Sequence, residues 1–151
     1  MTKLFLFFIS SFILFGKTIP ITVGETLLYK ASFSGINAAD ASLHVMDKIA
    51  IENDSVYHVQ FSAKSKGPIH YLFPINDIIN LWLDSETFLP VKVQENISEG
   101  NFKISRTIQF NQKQGYALIN NDTLNIDKNT QSPFSLFYFF RKHTIKNFRG
   151  K

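Results

Sequence analysis

From Gly24 onward, apolar and polar residues alternate with a period of two. Leu27, Tyr29, Ala31 and Phe33 alternate with Leu28, Lys30 and Ser32. After the turn-like Ser34-Gly35-Ile36-Asn37, Leu43 and Val45 resume the rhythm, and Tyr57, Val59, Phe61 and Ala63 alternate with His58, Gln60, Ser62 and Lys64. Successive side chains of a strand point to opposite faces, so this alternation puts one face on a core and the other in water, as in antiparallel sheets. Strands are predicted near 41–51, 56–65, 76–84, 88–97, 102–111, 115–119 and 122–127. Glu52-Asn53-Asp54-Ser55, Ser98-Glu99-Gly100-Asn101 and Asn120-Asn121 separate neighbouring strands. Asn, Asp and Gly tolerate the positive φ of tight hairpins, so the connections read as a meander.

The 88–111 hairpin predicts a register. If Ile97 faces Phe102, then Val91 faces Ile108 and Leu89 faces Phe110, and apolar side chains meet on one face. Glu95 and Arg106 fall on that same face, diagonal to each other. A lone charge there is costly, so the two are expected to pair. Two roles remain open for the pair: a salt bridge that fixes register, or a polar contact inside a ligand cavity.

Two segments depart from the period. Ser132-Pro133 is a helix start, Ser as the cap and Pro in the first turn. The following Phe134-Ser135-Leu136-Phe137-Tyr138-Phe139-Phe140 is apolar almost all round. A helix over 133–142 is therefore predicted to be mostly buried, with Arg141 and Lys142 suiting its negative end. His70-Tyr71-Leu72-Phe73-Pro74, after Lys66-Gly67-Pro68, reads as a loop or irregular turn exposing large apolar groups. It is either a plug over one barrel end or the rim of an apolar ligand site.

The N-terminus adds an address. Met1-Thr2-Lys3 carries one positive charge, and Leu4–Gly16 is an uncharged run containing five phenylalanines. This is the pattern of a secretory signal peptide, and it is short for a membrane span. Residues 1–16 are expected to be removed after Gly16, or retained as an anchor. The protein is thus expected in the periplasm or cell envelope. The sequence has no cysteine, which closes the lipid-anchored route and excludes disulfides and Cys-based metal sites. Residues 17–151 suffice for one domain, assigned to 23–142. They carry 15 basic and 12 acidic residues, a mild excess concentrated in a basic tail over 143–151 and the two residues before it. The tail reads as solvated, with peripheral contact to anionic lipid headgroups as the sharper alternative. No nucleic-acid motif is present.

Candidate chemistry is sparse. His44, His58, His70 and His143 lack the spacing of a metal site. No Ser lies in a nucleophile elbow. Asp84 and Glu86 sit in the turn Asp84-Ser85-Glu86-Thr87, which turn chemistry explains. No enzyme activity, metal or cofactor is expected.

Several segments resemble a known family. Gly24-Glu25-Thr26-Leu27-Leu28-Tyr29, Ala63-Lys64-Ser65, Asn76-Asp77, Leu83-Asp84, Thr87-Phe88-Leu89-Pro90 and Glu99-Gly100 before Arg106 occur in the order of the bacterial exported family called domain of unknown function 3108. Pro133-Phe134-Ser135-Leu136-Phe137-Tyr138-Phe139-Phe140-Arg141 is similar to its Asp-Pro-Leu-Ser-Ala-x-Tyr-x-x-Arg segment, with Ser132 where the family usually has Asp. The resemblance spans roughly 23–142. It implies an exported, β-rich protein without assigned catalytic residues, and the chain looks C-terminally truncated relative to it or naturally short. The plan of sheet plus apolar helix also resembles the half-barrels of periplasmic lipoprotein carriers, in architecture alone.

The expected fold is therefore mainly β, an antiparallel meander sheet curved into an open or incomplete β-barrel, with one apolar C-terminal helix packed on or in it. About eight strands leave room for side chains or one small ligand. The expected function is a non-enzymatic envelope protein holding a hydrophobic ligand such as a lipid acyl chain on a concave sheet. Tyr29, Phe33, Phe61, Tyr71, Phe73, Glu95, Arg106 and Phe137 are its expected ligand contacts. The alternative is a periplasmic scaffold that pairs with an envelope protein partner through an open sheet edge.

Overall fold

A computed structural model describes residues 21–33, 36–51 and 54–147. The expected signal segment, residues 1–16, lies outside the described residues. Eight strands run in chain order: β1 (Thr26–Phe33), β2 (Ile36–Ile51), β3 (Asp54–Ser65), β4 (Asn76–Asp84), β5 (Pro90–Glu99), β6 (Phe102–Asn111), β7 (Tyr116–Ile119) and β8 (Asp122–Asn125). A short helix α1 (Gly67–Leu72) links β3 to β4, and α2 (Pro133–Asn147) follows β8. The strands form one antiparallel sheet in the order β1 to β8. The sheet is a meander that does not close into a barrel.

Residues directly opposite each other across an antiparallel pair share a face. Pairing therefore threads rows across the sheet. Leu27, Leu43, Phe61, Ile79, Glu95 and Arg106 form one. Val45, Val59, Leu81, Val93, Ile108 and Ile119 form the next. Most of the buried apolar core belongs to these rows, joined by Leu83, Phe88, Ile21 and Tyr138. This face, which carries α2, is the inner face. On the outer face the neighbours are polar: Ser42 and Ser62 hydrogen bond at 2.9 Å, and the Gln60 side-chain amide donates to Asn80 at 3.1 Å. The two-residue period thus sorts apolar from polar side chains as expected.

Five details differ from the expectation. β2 begins at Ile36, within the expected Ser34–Asn37 turn and ahead of the expected start at 41, because Ile36 and Asn37 pair with Phe33 and Ser32 of β1. The β5–β6 register is shifted by two residues: Glu99 faces Phe102, Val93 faces Ile108 and Glu95 faces Arg106 directly. A two-residue turn at Gly100-Asn101, with Gly100 at φ 57°, closes the hairpin more tightly than the expected four-residue loop. A shift of two leaves every side chain on its face, which is why the apolar pattern alone did not select between the registers. Strand β5 begins at Pro90 rather than 88, because Phe88 adopts φ 62° and turns into the core, 3% exposed. Asp84 holds that turn by accepting hydrogen bonds from the Thr87 backbone N–H at 2.7 Å and the Thr87 hydroxyl at 2.6 Å.

The two helices are the other differences. The Lys66–Phe73 stretch, expected as a loop, contains a six-residue helix with Pro68 in its first turn. α2 begins as expected. Ser132 Oγ accepts from the Ser135 backbone N–H at 3.1 Å, and Ser135 Oγ accepts from the Ser132 N–H at 2.7 Å, a reciprocal cap. It continues to Asn147, beyond the expected 142. It is not mostly buried: Leu136, Phe137 and Phe140 are exposed, while Ser135 and Tyr138 are buried. One stripe of α2 meets the sheet, where Phe134 rests on Phe61 with ring centroids 4.5 Å apart, and no element among the described residues covers the opposite stripe.

Tyr138 is 1% exposed and its hydroxyl has no hydrogen-bond partner among the described residues. Burial pushes its phenol well above the ordinary value of 10.0, and the nearby Glu25 carboxylate adds to the shift. A pKa raised on folding gives stability that is intact below pH 10 and lost as pH rises above it, because the unfolded chain ionises first. An unpaired buried hydroxyl costs about 1–3 kcal/mol. Tyr138→Phe is therefore expected to raise unfolding free energy at pH 7 by about 1 kcal/mol and to flatten the alkaline loss, as read from urea denaturation at pH 7 and pH 11.

Candidate functional site

The inner face is only half used by α2. Phe134 lies against Phe61 in the middle of the sheet. Farther along the helix, Arg141 pairs with Glu25, its second nitrogen donating to Glu25 Oε2 at 3.3 Å. The Lys142 ammonium donates to the Glu86 carbonyl and sits 5.1 Å from the Phe88 ring centre. Tyr138 lies one turn before Arg141 on the same helix face. The guanidinium carbon is 5.7 Å from the Tyr138 ring centre and 5.6 Å from that of Phe137. α2 thus lies between the Phe61 row and the polar 84–87 turn.

On the other side of the Phe61 row lies the row of Tyr29, Ala41, Ala63 and Asp77, of which only Asp77 is buried among the described residues. Tyr29 is 46% exposed, and Ala41 and Ala63 are half-buried. Small side chains in the floor, with Tyr29 on one side and Phe61 on the next row, leave a shallow apolar trough. The paired Ile97 and Ile104 extend the apolar surface across β5 and β6, both half-buried. Asp77 is buried with no opposite charge paired to it among the described residues, and its carboxylate accepts from the Ser98 backbone N–H at 2.9 Å.

The expected ligand residues divide accordingly. Tyr29 and Phe61 border the trough, and Glu95 and Arg106 lie in the Phe61 row, joined as a salt bridge with side chains 15% and 37% exposed. They face each other directly rather than diagonally, a consequence of the shifted register. Tyr71 and Phe73 belong to the α1 link at one end of the sheet. Phe137 lies on α2 beside Arg141 and is exposed. The Phe33 side chain lies outside the described residues.

Several connecting residues were not singled out as a site in the sequence. Ser65, 3% exposed, bonds His70 Nδ1 at 2.9 Å and accepts from the Ile75 backbone N–H at 2.8 Å. Glu25 and Arg141 meet across 116 positions of chain. The available signal was that Gly24-Glu25 and Tyr138-x-x-Arg141 both stand among the family-like segments, although their contact is invisible along the chain. On the outer face, His58 lies 3.6 Å from Asp47 and 3.0 Å from Asn80 Oδ1. It also stacks on Trp82 at 4.8 Å, whose ring has the Lys92 ammonium 4.7 Å from its centre. Each member of this cluster is held by a cross-strand neighbour, which makes it a sheet-stabilising ladder. Among the described residues, no three His, Asp or Glu side chains converge as a metal site would.

Compared with known families, residues 28–147 match the model described as Protein of unknown function (DUF3108). No curated protein and no solved structure matches the chain.

The Glu95–Arg106 pair gives a sharp test of its role. Removing one partner strands a half-buried charge, whereas replacing both with apolar groups does not. Glu95→Leu and Arg106→Leu are each expected to cost about 2 kcal/mol, and the double replacement less than about 1 kcal/mol. A double-mutant cycle by urea denaturation measures the difference.

Proposed function

The chain belongs to the DUF3108 family, and from that premise we propose that it is a non-enzymatic exported envelope protein that holds a hydrophobic ligand such as a lipid acyl chain against its sheet. One observation carries the reading. α2 covers part of an apolar sheet face and leaves the Tyr29-Ala41-Ala63 row beside Phe61 half-exposed. Exposed apolar surface adjoining a packed core is the surface that an apolar chain would remove from water, at about 25 cal/mol per Å². The alanine floor gives the space. The Phe61 and Phe134 rings form a wall on one side, and Ile97 and Ile104 continue the surface on the other.

Export rests on the N-terminal charge and the apolar run Leu4–Gly16. The ligand class follows from the surface: aliphatic and aromatic groups dominate the trough, Glu95 and Arg106 in the next row neutralise each other, and Asp77 at the end of the floor is buried with its carboxylate on the Ser98 N–H. The reading assigns the chain no bond-making chemistry and no cofactor.

A second reading rests on the sheet edges. β1 and β8 stand at the two ends of the order, and an unpaired edge can accept a partner strand. Both edges are blunted, β8 by its four-residue length and β1 by an irregularity at Ala31/Ser32, which weighs towards the ligand.

Native mass spectrometry of protein from the envelope fraction is expected to show bound mass that organic solvent extracts as lipid. Ala63→Phe fills the trough from its floor and is expected to reduce that mass at least threefold with the melting temperature within a few degrees of the parent. A bare monomer, or equal lipid in the variant, would sink the proposal. A copurifying protein without lipid would favour the edge-pairing scaffold.

A further inference from the structure

The two ends of the sheet differ in chemistry. At one end, the turns carry Asp84-Ser85-Glu86-Thr87 and Gln112-Lys113-Gln114-Gly115. At the other, the start of β2, the α1 link and the β5–β6 turn stand side by side. Lys66 N–H donates to the Ala38 carbonyl at 2.8 Å, Gly100 N–H donates to the Pro74 carbonyl at 2.8 Å, and Ile75 bridges Glu99. This end is apolar and exposed: Tyr71 is 88% exposed, Leu72 81%, Phe102 57%, Ile36 51% and Phe73 48%.

Loose loops often expose apolar residues without consequence, but this tip is fixed from beneath. His70 is tied to the buried Ser65 hydroxyl, and the same hydroxyl accepts from the Ile75 N–H on the far side of the tip. The Phe73 ring lies on Gly100, where an added Cβ would come within 2.9 Å of it. Gly100 therefore serves twice: it turns the hairpin at φ 57° and seats the ring. With His70 and Phe73 engaged below, Tyr71 and Leu72 are held outward. Presenting two large side chains to water by a pinned turn is a standing cost that a partner would relieve.

Charge identifies the partner. The exposed Lys30 and Lys64 flank Asp40 in one cross-strand row near this end, and exposed Lys103 follows Phe102. Against the four lysines, Lys66 included, stand three carboxylates: Asp40, already paired with Lys66, Glu99, and the buried Asp77, bound to the Ser98 N–H. The excess is positive. Protruding apolar tips with lysines set just behind them match the layering of a bilayer surface, where apolar groups enter the acyl boundary and cations stay at anionic headgroups. Among the described residues no helix is long and apolar enough to cross a membrane.

We propose that this rim, Tyr71, Leu72, Phe73, Phe102 and Ile36 backed by Lys30, Lys64 and Lys103, is a docking surface for an anionic phospholipid bilayer. The inference goes beyond ligand holding on the inner face, since the rim docks whether or not the trough is filled.

The absence of cysteine permits a single reporter in the full chain. Leu72→Cys carries an environment-sensitive fluorophore, and Lys113→Cys at the opposite end is the control. Vesicles of phosphatidylethanolamine with phosphatidylglycerol are expected to shift the residue-72 reporter to the blue and leave the residue-113 reporter unchanged. Pure phosphatidylcholine or high salt is expected to weaken the response. Tyr71→Ser in the residue-72 reporter is expected to raise the lipid concentration at half-response on the order of fivefold, with an unchanged far-ultraviolet spectrum. An aqueous residue-72 reporter on protein that floats with vesicles would place the contact elsewhere in the chain and overturn the proposal. So would an equal response at both positions, or no response to vesicles. A response to an envelope protein extract but not to lipid would make the rim a protein interface instead.

Discussion

An antiparallel sheet with one apolar face must keep water from that face, and among the described residues α2 supplies the cover. Phe134 on Phe61, Tyr138 in the core and Arg141 on Glu25 set where α2 lies. The rest of the inner face takes its character from that placement. On one side of the Phe61 row, helix and sheet form a packed core of the kind that gives a domain its stability. On the other, the alanine-floored row stays half-open. The same side chains would be ordinary core residues if a second element lay over them. They become a candidate ligand surface because α2 reaches only part of the way.

The Glu25–Arg141 pair shows how a polar contact can place an apolar element. A helix that is apolar nearly all round has no strong rotational preference on an apolar sheet. The guanidinium fixes one, because only one rotation brings Arg141 to Glu25 while Tyr138, one turn earlier on the same stripe, enters the core. The consequence is visible on the other stripe, where Leu136, Phe137 and Phe140 remain exposed. At the far end of the sheet a parallel logic holds α1: the buried Ser65 hydroxyl and the close seat of Phe73 on Gly100 fix the turn, and Tyr71 and Leu72 stand outside it. In both places a few directional contacts decide which greasy side chains are spent on the core and which face outward.

The fold was legible where a signal repeats. Alternation in β1 to β6 assigned strands and faces, the Asn and Gly turns marked the meander, and Ser132-Pro133 marked the start of α2. Single local signals were weaker. The β5–β6 register moved by two because Gly100-Asn101 closes a tighter turn, yet Glu95 and Arg106 still met, since any even shift keeps them on one face. The α1 turn was invisible because six residues hold too little period to read, and its Gly-Pro start also suits a loop. Of the candidate site, Tyr29, Phe61, Glu95 and Arg106 share the expected face. Phe137 stands on α2 rather than on the sheet, exposed beside Arg141.

Composition and order along the chain determined that this protein would be an antiparallel meander with a capped apolar helix after it, because strand faces and helix starts are written in neighbouring residues. Only the tertiary structure decided how much of the sheet the helix covers and which end of the molecule is apolar. Those outcomes depend on contacts between residues as distant as Glu25 and Arg141, or on the start of β2, the α1 link and the β5–β6 turn arriving at one end. No local pattern records them: the free energy that selects them arises only when the packed surfaces meet.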